Sequence, residues 1–290
     1  MKRLGFILFC IIIYPLLWLP TTALYVLSDL TYLVLYRLLK YRTTVVYTNL
    51  KNSFPEKSEA EIKAITKKFY KNLCDVFIEA LKMTTISKKE LERRVDIGDT
   101  AILEKFKSEG KRIIAVMGHF SNWEWCGYVM SAGFDIPLHV IYRPLKDPYF
   151  EKFFYRVRSR FGGHMVQMED IYKTLLKHTE PSLSLFISDQ SPPNTKATYW
   201  TNFLSQDTPV FLGAEKIGAK LNTPVIFLYT LRVKRGHYKN YYELLTEDPS
   251  KLTGSHAITE LHVKFLEQLI RKYPEQWLWS HKRWKHRRIT

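Results

Sequence analysis

The chain has 290 residues and a formal net charge of +16 at pH 7, from 44 Lys and Arg against 28 Asp and Glu. That length can bury a sizeable core in one α/β domain. The charge calls for an anionic partner: nucleic acid, an anionic membrane surface, or an acidic protein or substrate. Three scattered cysteines, Cys10, Cys74 and Cys126, form no C-x-x-C pair or metal spacing. They argue against a disulfide framework and a zinc site, and fit a reducing compartment.

Leu4 to Ser28 carries no charge, enough chain for a bilayer core of roughly 30 Å. Lys2 and Arg3 precede it; Arg37, Lys40 and Arg42 follow a further apolar stretch, Leu30 to Tyr36. A signal peptide competes, with Thr21-Thr22-Ala23 as a poor cleavage site, but the apolar character continues past it. A membrane-anchoring helix is therefore expected within residues 1–42. Its topology stays open, because cations flank both ends and Pro15 and Pro20 would kink a span or mark a re-entrant segment.

Asn49 to Pro55 reads as a polar turn. Ser58 and Glu61 form an S-x-x-E capping box that opens a helix over Glu59–Met83. Ile62, Ile65, Phe69, Leu73, Val76, Phe77 and Ala80 give it one apolar face. Lys63, Lys67, Lys68 and Lys71 lie elsewhere, as a solvated surface or a membrane-facing stripe.

From Lys111 the pattern alternates. Strands are predicted at Arg112–Met117, Pro137–Tyr142, His164–Gln167, Ser182–Ser188 and Pro224–Leu231. Helices are predicted at Asn122–Ala132, Pro148–Phe161, Glu169–Lys177, Pro209–Leu221 and His256–Lys272. The rhythm predicts an α/β domain with a largely parallel central sheet flanked by helices. His237–Thr246 reads as an antiparallel edge strand, turned at Gly236.

Residues following parallel strands gather on one rim, where open α/β sheets bind ligands. Here that rim collects His119, Tyr142-Arg143-Pro144 and Asp189-Gln190-Ser191. His119 stands five residues before Glu124, and the pair has the parts of an oriented general base. Two readings stand for Glu124, because Ser121-x-x-Glu124 is also a capping box that would hold the helix backbone. Arg143 suits a phosphate or carboxylate, or a structural ion pair. Asp189 is either a site residue or the start of the Pro192-Pro193 loop. Arg156, Arg158 and Arg160 read as a solvated helix surface. GxGxxG, GxxxxGK[ST] and GxSxG are absent. With no obvious protein nucleophile in view, the pattern suggests that the substrate supplies the attacking group, such as a hydroxyl. The Trp- and cation-rich tail, Trp277 to Arg288, suits a membrane interface or RNA, though no RNA-binding signature accompanies it.

Taken together, these segments resemble the bacterial lipid A biosynthesis acyltransferases, the lauroyl/myristoyl group of the wider lysophospholipid acyltransferase superfamily. The resemblance spans nearly the whole chain. It rests on the hydrophobic N-terminus, Asn49-Leu50 with Phe54-Pro55, the H-x-x-x-x-E motif from His119 to Glu124, Tyr142-Arg143-Pro144, Arg156-Val157-Arg158, Asp189-Gln190, and the ending Pro274 to Lys285. It implies transfer of a fatty acyl chain from a thioester, on acyl carrier protein or coenzyme A, to a hydroxyl of a lipid A precursor.

In that picture His119 is the general base and Glu124 orients it. Asn122, Tyr142, Arg143, Arg158, Asp189 and Gln190 form the substrate-binding set, with the two arginines on the anionic substrate and Asp189 supporting the site. Backbone N–H groups near the helix start are the candidates for holding the oxyanion. No cofactor and no metal is implied. The partners are acyl carrier protein, an anionic glycolipid or phospholipid and the membrane, with no nucleic acid expected. The location is the bacterial inner membrane, with the catalytic domain, residues 43–290, on the cytoplasmic face. A lysophospholipid or aminolipid acceptor is the alternative substrate. A non-catalytic lipid- or RNA-binding protein is the alternative of a different class.

Overall fold

The computed structural model describes residues 2–192 and 199–288. The first third is helical: α1 (Lys2–Leu16), α2 (Thr21–Tyr32) continued by a π-helical turn (Leu33–Leu38), α3 (Thr43–Ser53), α4 (Glu59–Lys82) and α5 (Lys88–Arg94). There follow β1 (Val95–Asp96), α6 (Ala101–Ser108), β2 (Ile113–Met117), α7 (Trp123–Gly133), β3 (Leu138–Tyr142), α8 (Pro148–Ser159), β4 (His164–Gln167), α9 (Ile171–Lys177) and β5 (Leu183–Ile187). The rest comprises β6 (Tyr199–Phe203), β7 (Gln206–Val210), α10 (Gly213–Leu221), β8 (Val225–Lys234), β9 (His237–Thr246) and α11 (Ala257–Lys272).

Seven strands form one sheet in the order β1-β9-β8-β2-β5-β3-β4. Strands β8, β2, β5, β3 and β4 run parallel, and β9 is antiparallel to β8. All of β2 is buried, and its side chains alternate between two cores as the pleat requires. Ile113, Ala115 and Met117 meet α6 and α7 through Phe106, Cys126 and Met130. Ile114 and Val116 face α9, α10 and α11 through Leu175, Ile217 and Ile258. The sheet is thus covered on both faces, which is why its central strands read as continuous apolar runs.

Several expectations change. The polar stretch from Asn49 is the end of α3, not a turn. Its polar character has another use, because the buried Asn49 amide donates to the backbone oxygens of Trp279 and His281, at 2.9 and 3.0 Å. The helix expected from Pro209 begins at Gly213, because Gln206–Val210 pairs with Tyr199–Phe203 in a hairpin. Strand β9 is not an edge, since the two-residue β1 adds to it in parallel. The Ser58–Glu61 capping box forms as expected, with both reciprocal bonds present, a feature contributing about 1 kcal/mol.

The N-terminal apolar region is broken. The chain turns between α1 and α2 at Leu17–Pro20, and Lys82 donates to the carbonyls of Leu17 and Leu19 at 2.8 and 2.9 Å. No single described helix is long and apolar enough to cross a membrane; one bent pair, Thr21–Leu38 with Thr43–Ser53, passes by length and composition. Polar contacts seat α2 on α4 and on the β8–β9 turn. Ser28 donates to Asp75 at 2.6 Å, and Arg235 bridges Asp75 and Asp29, each at 2.7 Å. Gly236 at the tip of that turn has φ +72°, and a Cβ there would lie 2.0 Å from the Tyr25 hydroxyl. Only glycine lets α2 come so close.

Candidate active site

Strands β2 and β5 are neighbours in register, Met117 opposite Ile187. Two residues beyond each lie His119 and Asp189, so parallel pairing alone brings them face to face. The Asp189 carboxylate takes the His119 backbone N–H at 2.8 Å and its Nδ1 at 2.6 Å. The Trp277 indole N–H donates to the same carboxylate at 2.7 Å. Gly118 permits this approach, since a Cβ there would come to 3.2 Å of Asp189 Oδ2 and 3.0 Å of Leu266.

Burial pushes the Asp189 carboxyl up, but the His119 charge, its two hydrogen bonds and the Trp277 bond outweigh that and hold it down at about 2. The carboxylate is therefore ionised and accepts from Nδ1–H. That leaves Nε2 as the ring's proton acceptor, and it takes the Gln190 amide at 3.0 Å. His119 keeps 18% of its side-chain surface open and Asp189 only 2%, the exposures of a reactive ring and its hidden support.

Glu124 does not orient His119. Its carboxylate is forked by Arg158, with Nη2 at 2.7 Å and Nε at 3.3 Å. The Ser121–Glu124 capping box is not formed either. Ser121 sits at φ +53°, and Asn122 caps α7, its Oδ1 accepting from the Trp125 N–H at 2.9 Å. The expected pairing is not found because Glu124, on the first turn of α7, gives its carboxylate to Arg158 of α8. The five-residue spacing suggested His119 and Glu124 as partners, but the sheet pairs His119 with the neighbouring strand.

A cavity of about 380 Å³ opens over the dyad, lined by His119, Trp123, Glu124, Tyr142, Arg143, Arg158 and Gln190 at its polar end. Gly127, Val140 and Leu185 make apolar wall. Arg143 is exposed and among the described residues has no carboxylate partner, so its guanidinium fork is free. A second cavity of about 410 Å³, mostly apolar, shares Ile141, Met168, Ile187 and Phe211 with the first. Lys216 and Lys220 also line it.

Of the eight predicted site residues, His119, Glu124, Tyr142, Arg143, Arg158 and Gln190 line the first cavity together, and Asp189 stands behind His119. Asn122 does not join them. It is fully buried, and its amide is spent on Trp125 and Glu79. The loop expected at Pro192-Pro193 lies, from position 193, outside the described residues.

Two contributors escaped the sequence reading. Trp123 packs its ring edge-on to His119 at 5.1 Å, and Trp277 reaches Asp189 from the tail. Trp277 belongs to the Trp- and cation-rich ending that suggested a membrane or RNA surface. In the structure that segment turns inward, pairing with Phe120 and giving the Gln276 carbonyl to the Ser121 N–H at 2.7 Å.

The family model described as "Bacterial lipid A biosynthesis acyltransferase" matches residues 1–286. A lipid A biosynthesis acyltransferase of Haemophilus influenzae is 23% identical over 245 residues, covering 83% of this chain and 74% of the relative. The lipid A biosynthesis palmitoleoyltransferase of Escherichia coli is 21% identical over 252 residues, 87% of this chain and 81% of that one. The lauroyltransferase of the same organism is 21% identical over 285 residues, with 94% and 92% covered.

Proposed function

Because the chain belongs to the bacterial lipid A biosynthesis acyltransferase family and is an acyltransferase, we propose that it moves a fatty acyl group from a thioester, on acyl carrier protein or coenzyme A, to a hydroxyl of a lipid A precursor. The observation that carries this reading is the His119–Asp189 dyad at the polar end of a cavity with apolar walls. Among the described residues lining that cavity, no serine or cysteine hydrogen-bonds His119, so the attacking oxygen comes from the acceptor.

In the reaction the acceptor O–H takes the place of the Gln190 amide at Nε2. Nε2 removes the proton as the oxygen attacks the thioester carbonyl, and Asp189 stabilises the imidazolium and holds its tautomer. The tetrahedral oxyanion collapses, the C–S bond breaks, and the thiolate takes the proton back from Nε2. The products are an ester and a free thiol. The N–H groups of Trp123 and Glu124, the first of α7 and not taken by the Asn122 cap, are the donors to the oxyanion. Arg143 and the Arg158–Glu124 pair receive phosphate or sugar groups of the acceptor, and the apolar second cavity receives hydrocarbon.

The reaction takes place at a membrane surface, on the cytoplasmic side of the inner membrane. Supporting this are the apolar side chains that α1 and α2 leave open, among them Ile11, Ile12, Trp18 and Val26, each about 60% exposed or more. Arg37, Lys40 and Arg42 follow them, as an interfacial anchor requires.

The test supplies membranes carrying wild type or His119→Ala with a labelled acyl thioester and a panel of lipid A precursor, lysophospholipid and aminolipid acceptors. Wild type is expected to label the lipid A precursor, and His119→Ala to be slower by about 10²–10⁴. Equal rates for the two proteins would overturn the mechanism, and labelling of another acceptor alone would overturn the substrate.

A further inference from the structure

The deepest charged group outside the dyad is Glu79 on α4, with none of its surface exposed. Among the described residues no cation touches its carboxylate. Instead it takes three hydrogen bonds from three separate elements. Tyr25 of α2 donates at 2.5 Å, Tyr238 of β9 at 2.6 Å, and the Asn122 amide at the entry to α7 at 2.7 Å. The Trp125 indole N–H of α7 also donates to the Glu79 backbone oxygen at 2.9 Å. A carboxylate buried without a counter-cation is costly, and apolar residues at Glu79 and its partners together would avoid that cost. What an apolar residue would not do is dictate which way round the Asn122 amide lies. With Nδ2 drawn to Glu79, Oδ1 must face the Trp125 N–H and cap α7. Turned over, the amide would present a donor to a donor.

We propose that Glu79 is a positioning residue of the active site: by fixing the Asn122 amide it sets the first turn of α7, which carries Trp123 against His119 and Glu124 against Arg158, and through Tyr25 it makes that setting depend on how α2 is seated. The proposal rests on the reading of His119 as the catalytic base. It gives Asn122 a role behind the site in place of the substrate contact expected of it. It also links the cavity to α2, the helix whose outer face carries the exposed apolar side chains. One carboxylate joins the two.

The test is a pair swap. Glu79→Gln alone replaces an acceptor with an amide that can set donor against the Asn122 donor, and Asn122→Asp alone sets carboxylate against carboxylate. The double variant restores one donor and one acceptor, now reversed, while the carboxylate introduced at position 122 still caps the Trp125 N–H. Groups facing Glu79 are Tyr25, Tyr238, Arg232 and, on its own helix, Asp75. Burial, opposed by the two tyrosine bonds, pushes its carboxyl up to about 7. Two carboxylates in contact share a proton well above that value, so Asn122→Asp is read as a profile from about pH 7 to 10, while Glu79→Gln carries no such proton.

Two readouts are taken. Amide hydrogen exchange over residues 123–126 needs no substrate and tests the positioning whatever reaction the protein catalyses. Each single variant is expected to speed it about tenfold. Each is expected to lower kcat about ten- to hundredfold with KM within about threefold, since a displaced first turn disturbs the reacting geometry more than binding. The double variant is expected to return both readouts toward wild type. Tyr25→Phe, which keeps the ring and removes one of the three donors to Glu79, is expected to shift both in the same direction by less. The proposal is overturned if exchange over 123–126 is unchanged in the single variants. It is equally overturned if the double variant is no better than the worse single one. A wild type active only by a route indifferent to His119→Ala would sink the catalytic reading while leaving the exchange result to judge Glu79.

Discussion

In the proposed mechanism His119 is made into a base by what lies on its far side. Asp189 fixes Nδ1–H and so directs the lone pair on Nε2 into the cavity. Asp189→Asn keeps the shape but offers an amide that can turn a donor to Nδ1, trapping the wrong tautomer. A fall in kcat of about 10⁴ is expected, as for the equivalent change in a catalytic triad, with KM little altered. Glu124→Gln should behave differently, since that carboxylate holds Arg158 and not the imidazole. Its loss frees a guanidinium at the cavity wall, so KM for the anionic acceptor should change several-fold and kcat less than tenfold. Steady-state kinetics on the two variants separates them, and a larger kcat loss for Glu124→Gln would reverse the assignment. The residues were legible in the sequence, but the partnership was not. Five-residue spacing joins His119 to Glu124 only along the chain, whereas the choice of Asp189 depends on β5 being the strand beside β2. Strand order is a long-range property that no local pattern carries.

At the scale of elements, period and punctuation revealed most of the sheet, because β2, β3, β5 and β8 are buried on both faces and bounded by turns. The hairpin β6–β7 stayed hidden, since Pro209 within a strand reads as a helix start. So did β1, whose two residues are too few to show any period. The apolar N-terminus was legible as composition but not as shape. Pro20 and the Lys82 contacts to Leu17 and Leu19 mark where the stretch, left open as a kinked span or a re-entrant segment, breaks into two helices. On the proposed membrane contact, a bilayer meets the protein at the outer faces of those helices. Ile11→Glu with Trp18→Glu places two charges on that face without touching the buried Leu17 or Leu24. Co-flotation with anionic vesicles should fall at least tenfold, and the melting temperature should stay within a few degrees. Undiminished flotation would assign membrane binding to another surface.

Across the whole molecule, the site is a meeting of distant segments: β2, β5, α7, α8 and the tail. Trp277 shows what the last of these contributes. Its indole bond helps hold the Asp189 carboxyl at about 2 against an ordinary value of 3.8. A carboxyl lowered on folding adds stability that is complete above the unfolded value and is lost as pH falls through the folded one. For Asp189 the window is about pH 4 down to 2, and the contribution is of the order of 2 kcal/mol. Trp277→Phe keeps the ring and removes the donor, so the folded value rises and the window narrows from below. The acid-unfolding midpoint should move to higher pH, and tryptophan fluorescence against pH would record it. An unmoved midpoint would mean that the indole adds nothing to the carboxylate.

The same bond has a consequence in time. Asp189 emerges from the ribosome 88 residues before its Trp277 partner, and His119 earlier still. A nascent chain can therefore hold base and carboxylate together and yet lack the group that finishes their setting. Until Trp277 docks, Phe120 also lacks its bridge partner, and the Ser121 N–H lacks the Gln276 carbonyl. Synthesis thus delays assembly of the finished site until the tail is made.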